Sequence, residues 1–254
     1  MNILVITRSA LDSDNPQISS DGKNIDLQYA KIITNPYDER ALEATVKLKQ
    51  QSTDDITVNT VAIGNNSESL LRNSLARGAD DGFYISSDNF YLDDMIIAKA
   101  ITHSIKTGQI PSPDLIITGL QSTDTNTTFL APIIARLLNY TCYQAIKKIN
   151  VCDGNQDQKS KIEVHCNNDC IYQITGNSVI SVDYCISTLS FLKLPKIMAA
   201  KKKKLHQLDS IQQLQNLEPS YHINNISNIK KQRECIMVEP LELLSLLLSN
   251  SKKA

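Results

Sequence analysis

The chain has 254 residues, with 26 lysines and arginines against 27 aspartates and glutamates, and this balance argues against binding nucleic acid through a broad basic surface. It has only eight glycines, fewer than the usual ~7% of residues. Because they form neither GxGxxG nor GxxxxGK[ST], a dinucleotide fingerprint and a P-loop are both excluded.

Apolar periodicity predicts that strands and helices alternate as far as Leu138. The predicted strands are the apolar runs Ile3–Thr7, Ile56–Ile63, Phe83–Ile85 and Asp114–Thr118. The predicted helices are one that begins near Tyr37, then Ser67–Arg77, Asp93–Ile105 and Leu130–Leu138. Glu43 and Lys47 are expected to pair on the solvated face of the first helix. The turn signal Asp21-Gly22 predicts a hairpin within Ile18–Ile25. This alternation predicts an α/β fold with a Rossmann-like, doubly wound, mostly parallel sheet.

The composition changes after Leu138. Residues Asn150 to Lys161 are polar and predict a loop, and the apolar runs after them predict a short antiparallel extension, formed by Ile162–Val164, Cys170–Ile174 and Ser178–Tyr184. From about Gln207 to Lys231 the chain is polar and rich in asparagine, which predicts an extended C-terminal arm. The arm ends in a leucine-rich helix, about Glu239–Leu248, which needs apolar cover.

The six cysteines form no CxxC pair, and their irregular spacing favours reduced thiols over a disulfide framework. The sequence enters a strand pattern at its first residues without a signal segment, and the run Leu241–Leu248 is too short to span a bilayer. We therefore expect a cytoplasmic bacterial protein with no direct membrane insertion. His165, Cys166 and Cys170 have no matching second pair, so we expect no metal site.

Ligands of doubly wound sheets bind beyond the carboxyl ends of the strands. These ends lead into Arg8, Gly64 and the loop Gly119–Thr128, which is rich in hydroxyls and precedes a predicted helix. Backbone N–H groups, hydroxyls and a helix N-terminus would suit a phosphate, although the same residues are also ordinary helix caps. Asp124 would repel a phosphate and is expected to cap the loop or to bind a ribose hydroxyl.

The stretch Leu192–Leu205 joins apolar residues to four lysines, Lys201–Lys204. Pro195 predicts extended geometry before it, so the apolar residues are expected to begin on a loop. Exposed apolar residues beside a cationic run would form a docking surface, with Leu194, Ile197 and Met198 as its anchors. The alternative is a helix start packed on the core.

No catalytic constellation is present, since GxSxG, HExxH and histidine pairs at ligand spacing are all absent from the sequence. We therefore expect a protein without catalysis of its own. An enzyme would depend on Asp and His pairs that the sequence does not bring together.

Four segments, in this order, resemble the β subunit of electron transfer flavoprotein. NPYDERALEATVKLK is similar to the NPFDE-type helix start of that family, and LLRNSLARGADDGFYI to its TLRxALAMGADxGxxV segment. GLQSTDTNTTFLAPIIARLL aligns without gaps on GxQAxDxDxxQxGxxxAxxL, and LPKIMAAKKKKL is close to LPNIMKAKKKP. The resemblance runs from residue 2 to about residue 205 and continues faintly around Arg233.

The resemblance implies a heterodimer in which the α subunit carries the redox-active FAD and the β subunit holds AMP as a structural ligand. Tyr37 takes an aromatic position near the partner's flavin, and Leu194 falls on the leucine that enters a pocket of the dehydrogenase, which favours the docking hypothesis. By position, the nucleotide site would comprise Ile6, Asn35, Pro36, Tyr37, Asp38, Ile63, Gly119, Leu120, Gln121, Ser122, Thr123, Asp124, Thr125, Asn126, Thr127, Thr128, Phe129 and Leu130.

The resemblance also implies a path for electrons in fatty acid oxidation. They would come from acyl-CoA dehydrogenase-type donors and pass to electron transfer flavoprotein–quinone oxidoreductase. Residues 1–205 would form the AMP-type nucleotide-binding domain with a docking loop at 192–204. Residues 206–254 would form the arm and helix that wrap the α subunit.

The chain departs from the family pattern at several places. Asp124-Thr125-Asn126 stands where two or three acidic residues are usual, Phe129 replaces a glutamine, and Ala131 replaces a glycine. CISTLSF (Cys185–Phe191) replaces RLNEPRY. His165 replaces an acidic residue that pairs with an arginine of the mobile flavin domain. These changes concern AMP binding and the flavin domain rather than the fold.

Two alternatives remain open. One is a bifurcating flavoprotein subunit with a second FAD in the AMP site, which Pro132 favours, whereas LPKIM is typical of the ordinary carrier. The other is a stand-alone nucleotide-binding domain with no redox role, which the sheet alone would allow. The arm and the docking stretch favour a protein that works with a partner.

Overall fold

The computed structural model describes residues 1–12, 31–87, 93–152 and 161–209. The hairpin predicted within Ile18–Ile25 lies outside these ranges, as do the leucine-rich helix Glu239–Leu248 and all of the arm beyond Asp209. Within the described ranges, no helix combines the length and the apolar character needed to cross a bilayer.

Strands and helices alternate through most of the described chain. The strands are β1 Asn2–Leu11, β2 Ile32–Thr34, β3 Thr57–Gly64, β4 Asp81–Ser86, β5 Leu115–Gly119, β6 Thr141–Cys152, β7 Lys161–Cys166, β8 Ile171–Ile174, β9 Ser178–Val182 and β10 His206–Gln207. The helices are α1 Pro36–Gln51, α2 Ser67–Arg77, α3 Asp94–Lys106, α4 Leu130–Leu138 and α5 Leu194–Lys202, and a single 3-10 turn covers Tyr184–Ile186.

The strands form one sheet in the order β10-β4-β3-β1-β5-β9-β6-β7-β8, with β2 paired to the end of β1. All neighbours from β10 to β6 run parallel, whereas β6, β7 and β8 are antiparallel. The predicted Rossmann-like, mostly parallel sheet with a short antiparallel extension is therefore confirmed. The chain adds β3 and β4 on one side of β1 and then β5 on the other, so the topological switch point lies between β1 and β5, where doubly wound proteins bind their ligands.

The sheet is buried on both faces because helices cover each of them. Successive side chains of a strand point to opposite faces, so Ile3 and Val5 of β1 pack with the apolar residues of α1 and α2. Leu4 and Ile6 pack with those of α3 and α4. A strand buried on both sides reads as a continuous apolar run, which is why ILVI predicted β1 so clearly.

Two predictions in the second half of the chain were wrong. The sequence pattern predicts that Ser178–Tyr184 belongs to the antiparallel extension, but β9 pairs in parallel with β5 and β6, and its five residues are all buried. The sequence predicted a strand there but contained no information on which neighbours it pairs with. The first residues of the predicted loop Asn150–Lys161 belong instead to β6. The sequence pattern did not predict this long strand.

Glu43 and Lys47 do pair, with 3.8 Å between Oε1 and Nζ, but Glu43 is buried rather than solvated. Its carboxylate lies 3.5 Å from Arg77 of α2 and accepts a hydrogen bond from the Ser190 hydroxyl. A buried charge needs such partners, because its transfer from water is costly. The sequence of α1 alone predicts a solvated pair because it contains no signal for the long-range contact with Arg77. The carboxylate joins α1 and α2 to the segment that precedes α5.

Candidate functional site

The polar residues at the carboxyl ends of β1 and β5 meet at the topological switch point. β5 ends at Gly119, which opens the loop to α4; residues Gly119–Leu130 are called the Gly119 loop below. Two of the predicted site residues, Ile6 and Ile63, are buried in the core layer below this edge. Their side chains are apolar, so they lie beneath the site and form no hydrogen bonds to a ligand.

Asp38, in the first turn of α1, ties these two strand ends together. Its Oδ1 accepts a hydrogen bond from the Gly119 amide at 2.9 Å. Its Oδ2 accepts from the Arg8 amide at 2.9 Å and from Arg8 Nε at 3.1 Å. The carboxylate is fully buried, so the start of α1 is fixed to β1 and β5 by charge-assisted bonds.

Asn35, just before α1, holds the beginning of the Gly119 loop. Its side-chain amide donates to the Gln121 carbonyl at 2.9 Å, and its Oδ1 accepts from the Thr123 amide at 3.3 Å. Gln121 Nε2 donates to the Tyr37 hydroxyl at 3.0 Å. Of the NPYD residues that the resemblance selected, Asn35, Tyr37 and Asp38 therefore contact the Gly119 loop, and Pro36 is the first residue of α1.

Arg8, near the carboxyl end of β1, is a buried cation. It lies 3.1 Å from Asp38 and 3.4 Å from Asp94 at the start of α3. Burial lowers the pKa of Arg8, but the carboxylates of Asp38, Asp94 and Asp124 outweigh burial and leave that pKa above its usual value. Because carboxylates already surround the guanidinium, Arg8 acts here as a structural charge. Phosphate contacts would have to come from backbone N–H groups and hydroxyls.

Asp124 folds the Gly119 loop on itself. One carboxylate oxygen accepts from the Ser122 hydroxyl and from the Thr125 amide, the latter at 2.7 Å. The other accepts from the Leu11 amide at the end of β1, at 3.3 Å. Asn126 adopts a left-handed φ of 54° and donates its amide to the Ser122 carbonyl at 2.9 Å. Of the two tasks expected for Asp124, these contacts correspond to capping.

The Gly119 loop ends at the N-terminus of α4. The Phe129 amide donates to Asp94 at 3.2 Å, while the Phe129 ring is exposed and Leu130 is buried. The hydroxyls of Thr125 and Thr127 lie 3.1 Å apart, and Thr128 lies partly exposed beside Phe129. The first N–H groups of a helix have no intrahelical partner and favour anions.

The loop carries hydrogen-bond donors of the kind that bind a nucleotide, but the space beside it is narrow. Thr123 Oγ1 is buried without a hydrogen-bond partner among the described residues, and such a hydroxyl costs ~1–3 kcal/mol until a partner satisfies it. The cleft lined by Arg8, Ser9, Asp94, Ser122 and Thr125, among others, has a volume of only about 20 Å³. A bound nucleotide would therefore require the walls of this cleft to separate.

Gly119 is required because the backbone approaches α1 closely. A Cβ at this position would lie 2.5 Å from Tyr37 Cβ and 2.8 Å from the Asp38 nitrogen. We expect Gly119→Ala to lower the free energy of unfolding by about 1–3 kcal/mol, as overpacking does, in a urea titration. Ser86→Ala, at the exposed end of β4, is the control and should stay within ~0.5 kcal/mol. An unchanged unfolding midpoint for Gly119→Ala would show that this contact relaxes without cost.

The docking stretch forms helix α5 instead of beginning on a loop. Pro195 lies in the first turn of the helix, where its missing N–H costs nothing. Lys193 has the extended geometry that Pro195 predicts, but Leu194 already belongs to α5, so the prediction that the apolar residues begin on a loop was wrong. Leu194 is 70% exposed and Met198 51% exposed, whereas Ile197 packs against the core layer of α1 and α2. The two exposed side chains are therefore available to a partner in the isolated chain.

The C-terminal end of α5 is held by main-chain contacts. Arg72 Nη1 donates to the carbonyls of Ala200, Lys201 and Lys203 at 2.9, 3.0 and 2.7 Å. Lys203 Nζ donates to the Ala79 carbonyl at 2.9 Å. The contacts of Arg72 satisfy carbonyls that the end of α5 leaves free, and together the two side chains fix α5 to α2 and to the residues just after it.

His165 lies on β7 beside Glu163, because residues two apart in a strand share a face. Its Nε2 is 2.8 Å from Glu163 Oε1 and 3.2 Å from the Asn150 side-chain amide. The hydrogen bond from His165 is the main cause that lowers the pKa of Glu163. The sheet therefore still carries a carboxylate here, that of Glu163, two residues before the position where the resemblance predicts one. Because alternate residues of a strand share a face, the sequence could have revealed this.

The fold and the position of the crevice define a Rossmann-like α/β protein with a candidate ligand site at its switch point. A family model described as the electron transfer flavoprotein domain matches residues 24–212. The chain is 30% identical over 211 residues to electron transfer flavoprotein subunit beta of Bacillus subtilis, a match that covers 82% of this chain and 79% of the relative. It therefore belongs to the electron transfer flavoprotein β-subunit family.

Other relatives agree. The corresponding subunit of Bradyrhizobium diazoefficiens is 27% identical over 207 residues, which are 81% of this chain and 80% of the relative. A probable electron transfer flavoprotein subunit beta of Saccharomyces cerevisiae is 25% identical over 236 residues, with 91% and 88% covered. Membership of this family implies a role in electron transfer.

Proposed function

We propose that this chain is the β subunit of a heterodimeric electron transfer flavoprotein. It would accept electrons from acyl-CoA dehydrogenase-type donors through FAD held mainly by the α subunit, and pass them to electron transfer flavoprotein–quinone oxidoreductase. The observation that carries the proposal is the exposure of Leu194 and Met198 on a helix fixed to the core. Large apolar side chains held rigidly in water are typical of anchors that enter a partner's pocket.

In this role the chain has no catalysis of its own. The flavin supplies the electron-transfer chemistry when it is bound, and the residues of this chain orient the partner and recognise donors. Residues 1–205 would form the nucleotide-binding domain with the docking stretch at 192–204. The predicted boundary at residue 206 is too early, because His206 and Gln207 pair with β4 in the sheet and Leu208 is buried in the core; the part of the chain that wraps the α subunit would follow them.

The nucleotide proposed for the Gly119 loop is AMP, held mainly by backbone N–H groups and hydroxyls. The unpartnered Thr123 hydroxyl and the N-terminus of α4 support this assignment. The carboxylates around Arg8 would repel phosphates, so a single phosphate group suits this edge better than the pyrophosphate of a second FAD.

Co-expression with the α subunit tests the proposal. We expect a yellow heterodimer with one FAD and one AMP, and a chain that binds no FAD tightly when it is expressed alone. Two FAD molecules per heterodimer would favour the bifurcating alternative. A monodisperse chain that captures no α subunit would favour the stand-alone domain and contradict the proposal.

Replacing Thr123 with valine separates the ligand role of its hydroxyl from a role in stability. Because the hydroxyl has no protein partner within the described residues, the nearly isosteric Thr123→Val should not lower the stability of the nucleotide-free protein. The affinity for AMP should fall by about 2- to 10-fold, the equivalent of one hydrogen bond of ~0.5–1.5 kcal/mol. Calorimetric titration of AMP into the stripped heterodimer measures the change.

The matched control is Thr141→Val at the exposed start of β6, which should bind AMP as the unaltered heterodimer does. Unchanged AMP affinity in Thr123→Val would remove Thr123 from the proposed site.

A further inference from the structure

An aromatic pair and an arginine form a cluster beside the Gly119 loop. Tyr184 follows β9 directly, and its ring meets that of Tyr37 edge to face, with centroids 5.4 Å apart and an interplanar angle of 63°. Arg40, one helical turn beyond Tyr37 in α1, places its guanidinium carbon 3.6 Å from the centroid of the Tyr184 ring. Both interactions are attractive in this geometry.

The arginine is itself held in place. Arg40 Nη1 donates to the Ser187 carbonyl at 2.6 Å, so the guanidinium bridges the Tyr184 ring and the chain just after it. The Tyr37 hydroxyl accepts from Gln121 of the Gly119 loop at 3.0 Å. Burial, with smaller contributions from Asp183 and Tyr184, raises the pKa of Tyr37, so the phenol stays neutral. The three side chains therefore have fixed orientations.

Tyr184 nevertheless remains 44% exposed. An aromatic ring that is ordered and still open to solvent loses little conformational entropy when it binds a ligand. Because β9 and β5 are parallel neighbours, Tyr184 lies at the carboxyl ends of the strands, as Gly119 does. Doubly wound sheets bind their ligands at these ends.

We propose that Tyr184, fixed by Arg40, is a stacking surface for the isoalloxazine ring of the flavin that the partner subunit presents. This inference rests on the proposed function. An electron-poor planar ring is complementary to an electron-rich phenol ring. The positive charge of Arg40 complements the negative charge that a flavin gains on reduction, whereas the neutral adenine of AMP offers no such match.

The test compares heterodimers that carry Tyr184→Leu or Tyr184→Phe with the unaltered heterodimer. A phenol in contact with isoalloxazine quenches its fluorescence by donating an electron, and neither leucine nor phenylalanine does so. We expect the fluorescence per bound flavin to rise in both variants. Tyr184→Phe keeps the ring and its contact with Arg40, so this variant reports on quenching even where the leucine variant folds poorly.

Tyr140→Leu is the matched control. Its phenol donates to the Pro113 carbonyl at 3.1 Å. Pro113 lies just before the amino end of β5, so this contact is at the opposite end of the parallel strands from Gly119. Its flavin fluorescence should equal that of the unaltered heterodimer. In a second arm, Arg40→Met removes the charge and keeps an apolar side chain of some length. The midpoint potential of the flavin should become more negative, because reduction then adds negative charge without the nearby cation.

Each outcome decides the proposal. The phenol of Tyr37 stays beside residue 184 in these variants and would also quench a flavin, so both variants are repeated in a Tyr37→Phe background. Unchanged fluorescence of the Tyr184 variants in that background, at full flavin content, overturns the proposal. Loss of AMP with unchanged flavin emission would assign the ring to adenine and also overturn it. The flavin and AMP contents of the unaltered heterodimer are measured first. Absence of flavin there is a failure of the proposed function, and it is distinct from a failure of Tyr184 to contact the flavin.

Discussion

Replacing Asp38 with alanine is expected to lower the free energy of unfolding by about 3–5 kcal/mol, as the removal of one partner from a buried ion pair does. The carboxylate holds the Gly119 amide and both the amide and the side chain of Arg8. Without it, two buried amides lose their acceptor, and the one ion pair that Arg8 keeps among the described residues is the longer contact with Asp94 at 3.4 Å. Urea unfolding of the purified protein measures this loss of unfolding free energy.

Two further variants make the Asp38 experiment specific. Asp38→Asn keeps an acceptor for the Gly119 amide but removes the charge opposite Arg8, so its loss should be smaller than that of alanine. Asp81→Ala changes an exposed carboxylate that lies 3.8 Å from His206 and should cost less than ~0.5 kcal/mol. Equal stabilities for Asp38→Ala and Asp81→Ala would mean that the Arg8–Asp38 pair does not stabilise the carboxyl ends of β1 and β5.

Replacing Leu194 with alanine should weaken docking to an acyl-CoA dehydrogenase-type donor by roughly 1–3 kcal/mol, or about five- to hundred-fold in Kd. Because the side chain is 70% exposed, the free energy of unfolding should change by less than ~0.5 kcal/mol. Surface plasmon resonance with an immobilised dehydrogenase measures the affinity, and thermal unfolding measures the stability.

Leu71 of α2 provides the opposite case, since it is fully buried in the core. Leu71→Ala should lose about 2–5 kcal/mol of stability, with docking intact in the fraction that remains folded. Higher salt should slow the association of the unaltered heterodimer, because it screens Lys201–Lys204. A Leu194→Ala variant that unfolds early yet docks normally would place this leucine among the core residues and remove it from the docking surface.

Local pattern was sufficient wherever one element determines its own structure. Ser67–Arg77 was predicted with its final bounds, because its apolar spacing and the following Gly78 are both local signals; Gly78 adopts a φ of 131° and ends the helix. The doubly wound sheet followed from the alternation of elements. Pro195 misled the prediction because the same residue is compatible with a loop and with the first turn of a helix.

Long-range pairing could not be predicted in the same way. The run SVISV predicts a strand, but only the assembled sheet shows that it pairs in parallel between β5 and β6. At the candidate site, the resemblance selected Asn35 and Asp38, yet their internal bonds to the Gly119 loop and Arg8 become visible only in three dimensions. Arg40 and Tyr184 are far apart in the sequence, and no local signal connects them.

The manner in which α5 is fastened has an evolutionary consequence. Arg72 and Lys203 bind main-chain carbonyls, which every amino acid possesses, and no outward-facing side chain of α5 takes part in these bonds. Substitutions at Leu194 and Met198 can therefore accumulate without loosening the helix. If the proposed function holds, a lineage would change the dehydrogenases that it serves by exchanging a few outward-facing residues, while the scaffold that presents them is inherited intact.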